Sequence, residues 1–416
     1  MSLHSVYLDG TELSPAIVEY QVSITRGSGS VYGGPTASTC SLNIRTTDIA
    51  DLIGFSVGAE IAVYVYGAIQ RFVGTVSDLR IEHPRPGHDL ARIQINAVGP
   101  VAALGTTYSQ TEDWPEETAG ARADRILGQR QVGVGNSITQ SVVNVDTSQT
   151  VLARPLDPEN TITLLQELCD SVGAAVFDDT AGRIQFQAHA NRLNPWAAII
   201  WQRATGTWAT QGSATWDDAT YDDISYAAPV QLAYGSVVWE PYWQQSLGSV
   251  VNDVTVTYGS PAATETSTEA PSVTAYGSRH AGVTTILSNA GDASDRAAKI
   301  TATQAYPKWS LASAEIDMTG TLASDPALHE DILALRIGDR VSLKDLPDPS
   351  PLYTVEAVVE GYSETYTPDH HYLTFALSDP IASGLTATWA SMPVGKTWAT
   401  VTTGVRFVDV ITPYDV

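Results

Sequence analysis

The sequence predicts a mainly β protein with a small α/β insert and two related antiparallel β-barrel-like domains. Three observations point to this class. Apolar and polar residues alternate over most of the first hundred positions, a central region has helical spacing, and a late segment repeats the pattern of an early one. At 416 residues the chain exceeds the size at which one core stops growing, so about two to four domains are expected.

The first predicted domain spans residues 1–108 and contains strand patterns only. From Val18 to Thr25, every second residue is apolar, which is the period of a half-buried strand. Turn-rich stretches at 27–34 and 84–89 separate the segments. This pattern predicts a small barrel or sandwich. The apolar positions of the later strands are Leu42, Ile44, Ile61, Val63, Val65, Val73, Val76, Leu79, Ile81, Ile93 and Ile95.

A mixed region is predicted over residues 109–235. Ala119 to Gln129 has helical spacing, and a second helix is capped by Asn160 or Thr161 and ended by Gly173. A β-hairpin follows directly. The predicted core positions of this helix and hairpin are Leu164, Leu165, Leu168, Val172, Val176, Ile184 and Phe186.

The second β domain is predicted over 236–384, and a short peripheral β segment over 385–416. Val254, Val256 and Tyr258 alternate in its opening strand, and residues 260–272 have few large apolar residues and are predicted to form a loop. A helix is predicted from a cap near Ser294 to the residues before Pro307. Its buried face is expected at Ala297, Ile300, Thr301 and Gln304.

The most informative feature is an internal repeat. Gly58 to Pro100 and Gly338 to Pro380 follow one β-meander pattern at an offset of about 280 positions. A chain that carries the module twice can present six similar units from three copies. The matched positions are Gly58 with Gly338, Ile61 with Val341, Ile93 with Leu373, Ile95 with Phe375, Pro100 with Pro380 and, after a slip of one in the middle strand, Phe72 with Tyr353.

Charge and cysteine content narrow the function. The formal net charge is −24, and no cluster of Lys and Arg interrupts the acidity, so a nucleic-acid-binding groove is not expected. The acidity fits either simple solubility or a surface that lies beside DNA without binding it. Cys40 and Cys169 are expected to be reduced and buried. Neither a signal sequence nor a membrane span is predicted.

Motifs for catalysis or metal binding are weak. The sequence has no serine-hydrolase, zinc-protease, P-loop or dinucleotide motif, so no catalytic, cofactor or metal residue is assigned. Asp369, His370 and His371 are the densest group of potential ligands, but adjacent strand residues point to opposite faces. Asp113, Glu116 and Glu117 are expected in an exposed loop.

An aromatic and acidic segment leaves alternatives open. Its aromatic residues can form a glycan-stacking platform or fill junctions and oligomer interfaces. The acidic pairs can form a calcium site, although they lack the ligand spacing of a known loop, or a solvated turn. The tryptophans are Trp196, Trp201, Trp208, Trp216, Trp239 and Trp243, and the acidic residues are Asp217, Asp218, Asp222 and Asp223.

Over most of residues 1–385 the chain resembles the tail hub, or minor tail, proteins of tailed bacteriophages. The local sequences that carry the resemblance are RFVGTVSDLRI at Arg71–Ile81, the helix Thr161–Val172 with its hairpin, VTAYGSR at Val273–Arg279, and the Gly338–Pro380 run. The resemblance implies a virion protein at the tail tip, a homotrimer whose paired β domains form a pseudo-sixfold ring.

The same resemblance implies the partners. Such a ring joins a hexameric tail tube or distal tail ring to the tail tip or fibre proteins, meets the tape measure protein, and lets DNA pass during ejection without specific binding. No cofactor and no membrane partner are implied. Because the chain ends soon after the second β domain, no enzymatic activity is expected. The alternatives are a carbohydrate-binding or glycan-cleaving β protein and a secretion-system spike hub, which resembles this architecture.

Overall fold

The computed structural model describes most of the chain up to residue 378. The described ranges are 4–13, 18–27, 34–46, 56–82, 91–128, 141–144, 149–187, 200–203, 206–207, 224–225, 230–235, 238–307, 309–346, 355–367 and 369–378. The predicted C-terminal segment 385–416 lies outside them.

Strands dominate the described residues. The first group is β1 (His4–Leu8), β2 (Thr11–Glu12), β3 (Val18–Gly27), β4 (Thr39–Thr46), β5 (Glu60–Val65), β6 (Ile69–Glu82) and β7 (Ala91–Val98). The central group is β8 (Tyr108–Ser109), β9 (Glu117–Thr118), β10 (Ser141–Asn144), β11 (Thr150–Val151), β12 (Glu159–Asn160), β13 (Ala175–Asp178), β14 (Ile184–Gln187), β15 (Ile200–Arg203), β16 (Gly206–Thr207) and β17 (Ile224–Ser225). The last group is β18 (Val230–Ala233), β19 (Val238–Gln244), β20 (Asp253–Tyr258), β21 (Ala263–Thr268), β22 (His280–Thr284), β23 (Ser310–Asp317), β24 (Arg340–Lys344), β25 (Val355–Tyr366) and β26 (His371–Ser378).

The helices are short and lie mainly between the β groups. They are α1 (Pro100–Ala103), α2 (Ala119–Gly128), α3 (Thr161–Val172), α4 (Ala270–Tyr276), α5 (Ala290–Gln304), α6 (Met318–Ser324) and α7 (Pro326–Ala334). Short 3-10 turns occur at Leu104–Thr106 and Leu247–Ser249. No described helix has both the length and the apolar character that a membrane span requires.

One large sheet joins the early and late strands. Its main path has the order β19-β23-β26-β25-β3-β4-β7-β6-β5-β1-β2. Off this path, β24 pairs with β25, and β18 pairs with the other side of β24. The predicted mainly β class is therefore confirmed. Among the described residues the path has two ends, β19 and β2, so the expected barrels are not closed.

The early and late strands repeat one arrangement, as the sequence predicted. In both halves a meander of three antiparallel strands, β5-β6-β7 or β24-β25-β26, is extended by the strand that precedes it in the sequence, β4 or β23. The next strand outward is β3 in one half and β19 in the other. One difference is at the far side, where β1 is antiparallel to β5 but β18 is parallel to β24.

Local geometry confirms the repeat at Gly58 and Gly338. Both glycines have positive φ, +95° and +93°. The N–H of Gly58 donates to the Val76 carbonyl at 2.9 Å, and the N–H of Gly338 donates to the Val359 carbonyl at 2.8 Å. Directly after each valine the ladder contains a one-residue β-bulge. Val76 and Val359 are therefore equivalent positions.

This equivalence corrects the predicted middle strand. Phe72 pairs with Val63 on β5, and the matching position on β24, Leu343, pairs with Val355. The sequence separation between matched residues is thus three positions larger in the middle strands than in the outer strands, and Val355, not Tyr353, matches Phe72. The linker before β25 is longer than the β5–β6 turn, which accounts for the added offset; Tyr353 itself lies outside the described residues.

Among the described residues, three buried clusters form the cores. One lies inside the early strands, and a second inside the late strands with Ala175 and Phe177 from β13. The third joins the helices α2 and α3 and strands β13 and β14 to residues of β20 and α5, including Val254 and Ile300. The segment 253–304 therefore packs with the α/β insert rather than with the late β strands that flank it.

Most predicted elements are confirmed. Asn160 caps α3, Gly173 ends it at φ +71°, and the predicted apolar face is buried. The stretch 260–272, predicted to be a loop, contains β21 and the start of α4. None of the residues of β21 is buried, so the strand has no alternation of apolar and polar residues that would reveal it in the sequence. The helix predicted to start near Ser294 starts at Ala290 with Asn289 as its cap. Helices α6 and α7 were not predicted.

Candidate functional site at the junction of the two β modules

The two repeated β modules meet edge to edge inside one chain. Strand β3 of the early module pairs antiparallel with the C-terminal half of β25, from Gly27 opposite Gly361 to Val22 opposite Tyr366. Close packing marks the end of this pairing: a Cβ on Gly27 would lie 2.5 Å from the Glu360 carbonyl oxygen and 2.6 Å from Ile337. Gly27 also has φ +77°. Glycine is therefore required where β3 runs onto β25.

A buried ion pair crosses this junction. Arg71 on β6 donates through Nε to both carboxylate oxygens of Glu364 on β25, at 2.9 and 3.1 Å, and its Nη2 makes a further contact with Glu364. Arg71 also donates to the Leu333 carbonyl at 2.7 Å. The two side chains are 3% and 0% exposed, so the charges depend on each other for compensation.

Arg26 and Tyr362 extend the charged centre. The Arg26 guanidinium donates to the Arg71 carbonyl at 2.6 Å. Both arginines lie over the ring of Tyr362, at 5.7 Å for Arg26 and 5.4 Å for Arg71. This arrangement places cation–π contacts beside the ion pair, where the surrounding burial strengthens them.

An aromatic group with two histidines covers the other side of Glu364. The O–H of Tyr366 donates to Glu364, and the ring of His371 stacks on Tyr366 at 4.3 Å. The Tyr66 hydroxyl lies 3.0 Å from Nδ1 of His371, and the Tyr66 ring meets His329 edge-on at 4.6 Å. Tyr66 belongs to the early module and the two histidines to the late one, so this group also joins the halves.

Burial favours the neutral forms of the histidine and tyrosine side chains that lie beside the ion pair of Arg71 and Glu364. Burial lowers the pKa of His371 to about 4, although Glu364 acts in the opposite direction, so the ring is neutral at pH 7. Burial, with Glu364 and Asp317, raises the pKa of Tyr66 to about 12. Burial alone lowers the pKa of the Arg71 guanidinium, but Glu364 outweighs it and the net shift is upward.

A second polar anchor ties the insert to the early module. The buried carboxylate of Asp178 accepts hydrogen bonds from Ser38 N at 2.7 Å, Ser38 Oγ at 2.8 Å and Val101 N at 2.7 Å. Burial raises the pKa of Asp178, and these three donors oppose that rise. A Cβ on Gly99 would lie 2.0 Å from this carboxylate. The close approach of the insert depends on that glycine.

The predicted histidine group does not gather around one point. His371 is buried in β26, whereas His370 and Asp369 are exposed in the preceding turn, so the expected separation of the two rings is confirmed. His370 instead stacks with Tyr372 at 5.6 Å. Among the described residues, no three His, Cys, Asp or Glu side chains group closely enough to hold a metal ion. Cys40 and Cys169 are buried and form no disulfide bond, as predicted.

Glu117 differs from the expected exposed loop. Its side chain is 8% exposed and forms ion pairs with Arg122 at 2.7 Å and Arg125 at 2.9 Å. Burial opposes ionisation of Glu117, but hydrogen bonds from Arg125 and Arg122 lower its pKa. Asp113 and Glu116 are exposed as predicted. No carboxylate pair forms here, because Glu117 turns toward α2.

Most of the aromatic and acidic segment falls outside the described residues. This applies to Trp196, Trp208, Trp216 and all four predicted calcium ligands, so the glycan and calcium hypotheses stay predictions. Trp243 lies on β19 and packs against the late core. Sequence reasoning missed Arg71 and Glu364 as partners. They stand 293 positions apart on strands that belong to different copies of the repeat, and no local pattern links them.

The fold is similar to those of solved tail proteins. No protein-family model matches the chain, and no curated protein matches it. A tail protein from Neisseria meningitidis MC58 aligns over 92% of this chain and 98% of its own, with a TM-score of 0.60 and 12% identity. The 43 kDa tail protein of prophage MuSo2 from Shewanella oneidensis covers the same shares, with a TM-score of 0.55 and 14% identity.

A third structure extends this similarity. The prophage tail protein gp18 from Listeria monocytogenes EGD-e aligns over 90% of this chain and 94% of its own, with a TM-score of 0.50 and 12% identity. The chain has the fold of phage tail proteins. The resemblance found in the sequence is thus confirmed at the level of the fold, and the similarity spans both β modules and the insert between them. At these identities the comparison carries the fold alone.

Proposed function

We propose that this chain is a structural tail hub subunit. Three copies form a pseudo-sixfold ring that joins the hexameric tail tube or distal tail ring to the tail tip. The observation that carries this proposal is the repeat: two β modules with one strand order and one bulge position are joined edge to edge, so each chain supplies two similar wall segments. The similarity of the fold to tail proteins supports the same role.

The proposed division of labour follows the three cores. The domains are 1–108 and 236–384 for the two hub modules, 109–235 for the insert and 385–416 for a peripheral segment. Because 253–304 shares a core with the insert, we assign that stretch to the insert in function. The hub modules form the ring wall, and the insert stands outside it and meets neighbouring tail components, including the tape measure and the tip or fibre proteins.

Passage of DNA is proposed from charge. With a net charge of −24, a ring of three copies repels phosphates at short range, and at about 0.1 M salt the screening length is about 10 Å, so only carboxylates near the opening act. The ring has no enzymatic role in this proposal. Because carboxylates repel phosphates, a DNA duplex of about 30 base pairs should not bind the assembled protein in a gel-shift assay at low salt.

The central experiment measures rotational order and mass together. Negatively stained particles should average to a three-lobed ring with a central opening, and light scattering should give three times the chain mass of 44.3 kDa. Only monomers at high concentration, with tail tube and tail tip components present, would overturn the proposal. A ring of six identical lobes built from six chains would overturn it too, because the repeat would then be redundant.

A further inference from the structure

The junction between β3 and β25 has a counterpart that the single chain leaves open. The repeat makes β19 equivalent to β3. Strand β3 lies on the outer side of β4 in the early module, and β19 lies on the outer side of β23 in the late module. Strand β3 pairs on both sides, with β4 and β25. Within the described residues, β19 pairs along its length with β23 and ends the sheet, and its first residue, Val238, also makes an isolated bridge with Tyr234. The late module therefore has the same outer strand as the early one, but without its second partner strand.

The other half of the missing junction is on β6. The bulge equates Val76 with Val359, so Asp78 to Glu82 of β6 match Gly361 to Thr365 of β25. In β25 this stretch is covered by β3, and Gly361, Tyr362 and Glu364 are buried. In β6 no described strand covers this stretch on the side opposite β7.

Among the described strands, β6 from Asp78 to Glu82 pairs only with β7, because its pairing with β5 extends no further than Thr75. The side chains reflect this: Asp78, Arg80 and Glu82 are exposed, and Ile81 is 42% exposed. An apolar residue at the matching position of buried Glu364 fits a surface that becomes covered on assembly. The matching stretch of β25, which β3 covers, is half buried or buried.

Apolar side chains also gather beside β19. Tyr242 on this strand is 59% exposed. Near the end of the β19–β23 pairing, Leu247 is 48% exposed and Trp309 is 47% exposed. Aromatic residues are typical of the cores of protein–protein interfaces. An edge strand with exposed aromatic residues at its side is a site for strand addition.

We infer that β19 of one copy pairs antiparallel with residues 78–82 of β6 in a second copy of this chain, and so repeats between chains the junction that β3 and β25 form within one. The equivalent positions give the register. Ser41 on β4 and Ser313 on β23 are equivalent positions, and they pair with Ser23 and Tyr242 respectively, so Ser23 and Tyr242 are also equivalent. Ser23 pairs with Thr365 of β25, which matches Glu82 of β6. Tyr242 therefore lies opposite Glu82 of the second copy.

Two features adapt the intermolecular junction. Pro241 has no N–H to donate, and it lies at the irregular part of the β19–β23 ladder, so pairing begins at Tyr242 and continues toward residue 245. The buried ion pair of the internal junction has no copy here, since Ile81 replaces Glu364. The intermolecular contact is therefore apolar at the point where the internal contact is charged. It avoids the desolvation of an ion pair each time two copies associate.

This inference rests on the proposed ring for its partner, and a crosslinking experiment separates the two. In the chain with Tyr242→Cys and Glu82→Cys, mild oxidation of the assembled protein should give covalent species up to three chains on a non-reducing gel. Either single variant should stay monomeric on the gel, since native Cys40 and Cys169 are buried. A matched control combines Glu82→Cys with Tyr108→Cys, because Tyr108 is 54% exposed but lies on β8.

The outcomes are distinct. A three-chain species from the Tyr242 pair and none from the Tyr108 pair supports the strand pairing. A stable trimer by light scattering with no crosslink, or with equal crosslinking in both pairs, overturns the strand pairing and leaves the ring intact. Monomers alone in light scattering overturn both.

A second measurement does not depend on oxidation. Tyr242→Glu places a negative charge opposite Glu82, at the first residue pair of the proposed contact, and should weaken association by about tenfold or more, with an unchanged melting temperature of the isolated chain. Tyr108→Glu should leave association unchanged. Equal association of the two glutamate variants would overturn the strand pairing.

Discussion

Arg71 and Glu364 form a buried ion pair across 293 positions of sequence, and each belongs to a different copy of the repeated β module. Arg71 lies on the middle strand of the early meander and Glu364 on the middle strand of the late one. Their contact fixes the two modules at one relative position. If the modules form the wall of a ring, this pair sets the angle between neighbouring wall segments inside each chain.

Breaking this pair should be costly. Arg71→Met leaves the carboxylate of Glu364 buried and uncompensated, and we expect a loss of about 3–5 kcal/mol in the free energy of unfolding. The double variant Arg71→Met with Glu364→Met should lose clearly less than the sum of the single losses. Chemical denaturation followed by a double-mutant cycle measures the difference.

The control for this cycle is an exposed pair. Arg183 contacts Asp179 at 2.6 Å with 42% of its side chain exposed, so Arg183→Met should cost no more than about 1 kcal/mol. Additive losses at Arg71 and Glu364 would contradict a direct coupling of the modules through this pair.

His371 should make stability depend on pH. Its pKa is lowered to about 4 in the fold, below the usual value of 6.5, so the unfolded chain binds more protons between these values. Stability is therefore complete above about pH 6.5 and falls as the pH drops toward 4, by on the order of 3 kcal/mol from this residue. His329 and His4, whose pKa values are also lowered by burial, add to the same trend.

A neighbouring residue supplies the control for pH dependence. When the free energy of unfolding from urea denaturation is plotted against pH, the slope should be shallower for His371→Gln than for the wild type. His370→Gln should keep the wild-type slope, because His370 is exposed and lies one position away. An unchanged slope in His371→Gln would show that the ring is already protonated or solvated in the fold.

Features set by neighbouring residues could be predicted from sequence, and features set by distant contacts could not. Asn160 and Gly173 mark the two ends of α3 in the sequence, and the alternation of apolar and polar residues in both meanders can be seen within single strands. For α5, the sequence predicted a cap near Ser294. The fold instead uses Asn289, whose Nδ2 also donates to Thr150 at 2.9 Å, a contact with a distant strand.

The repeat illustrates the same limit. Its outer strands align at a constant offset, because Gly58 and Gly338 have a backbone requirement that the sequence displays. Its middle strand was misaligned, since the length of the linker before β25 is free to vary. The β3–β25 junction itself was not predictable, because pairing between two edges leaves no period in either strand.

The cap of α3 allows a test of local structure. Asn160 Oδ1 accepts from Ile162 N at 3.0 Å, and Asn160 Nδ2 donates to the Gly105 carbonyl. Asn160→Ala should lower the free energy of unfolding by about 1–2 kcal/mol. Asn160→Asp keeps the acceptor and should lose less. Thermal unfolding followed by circular dichroism ranks the variants; equal losses would assign the effect to the Gly105 contact instead.

Gly27 should be the glycine least tolerant of substitution in the β3 junction. At φ +77°, alanine is strained, and its Cβ would in addition lie 2.5 Å from the Glu360 carbonyl, a backbone atom with little room to move. We expect Gly27→Ala to cost well beyond the about 1 kcal/mol that positive φ alone imposes, because β3 must move off β25. Gly10→Ala measures the cost of positive φ without the steric clash, since Gly10 has φ +78° and nothing within 4 Å of its Cβ position. Denaturation curves that give the same loss for both variants would show that β3 does not pack tightly on β25.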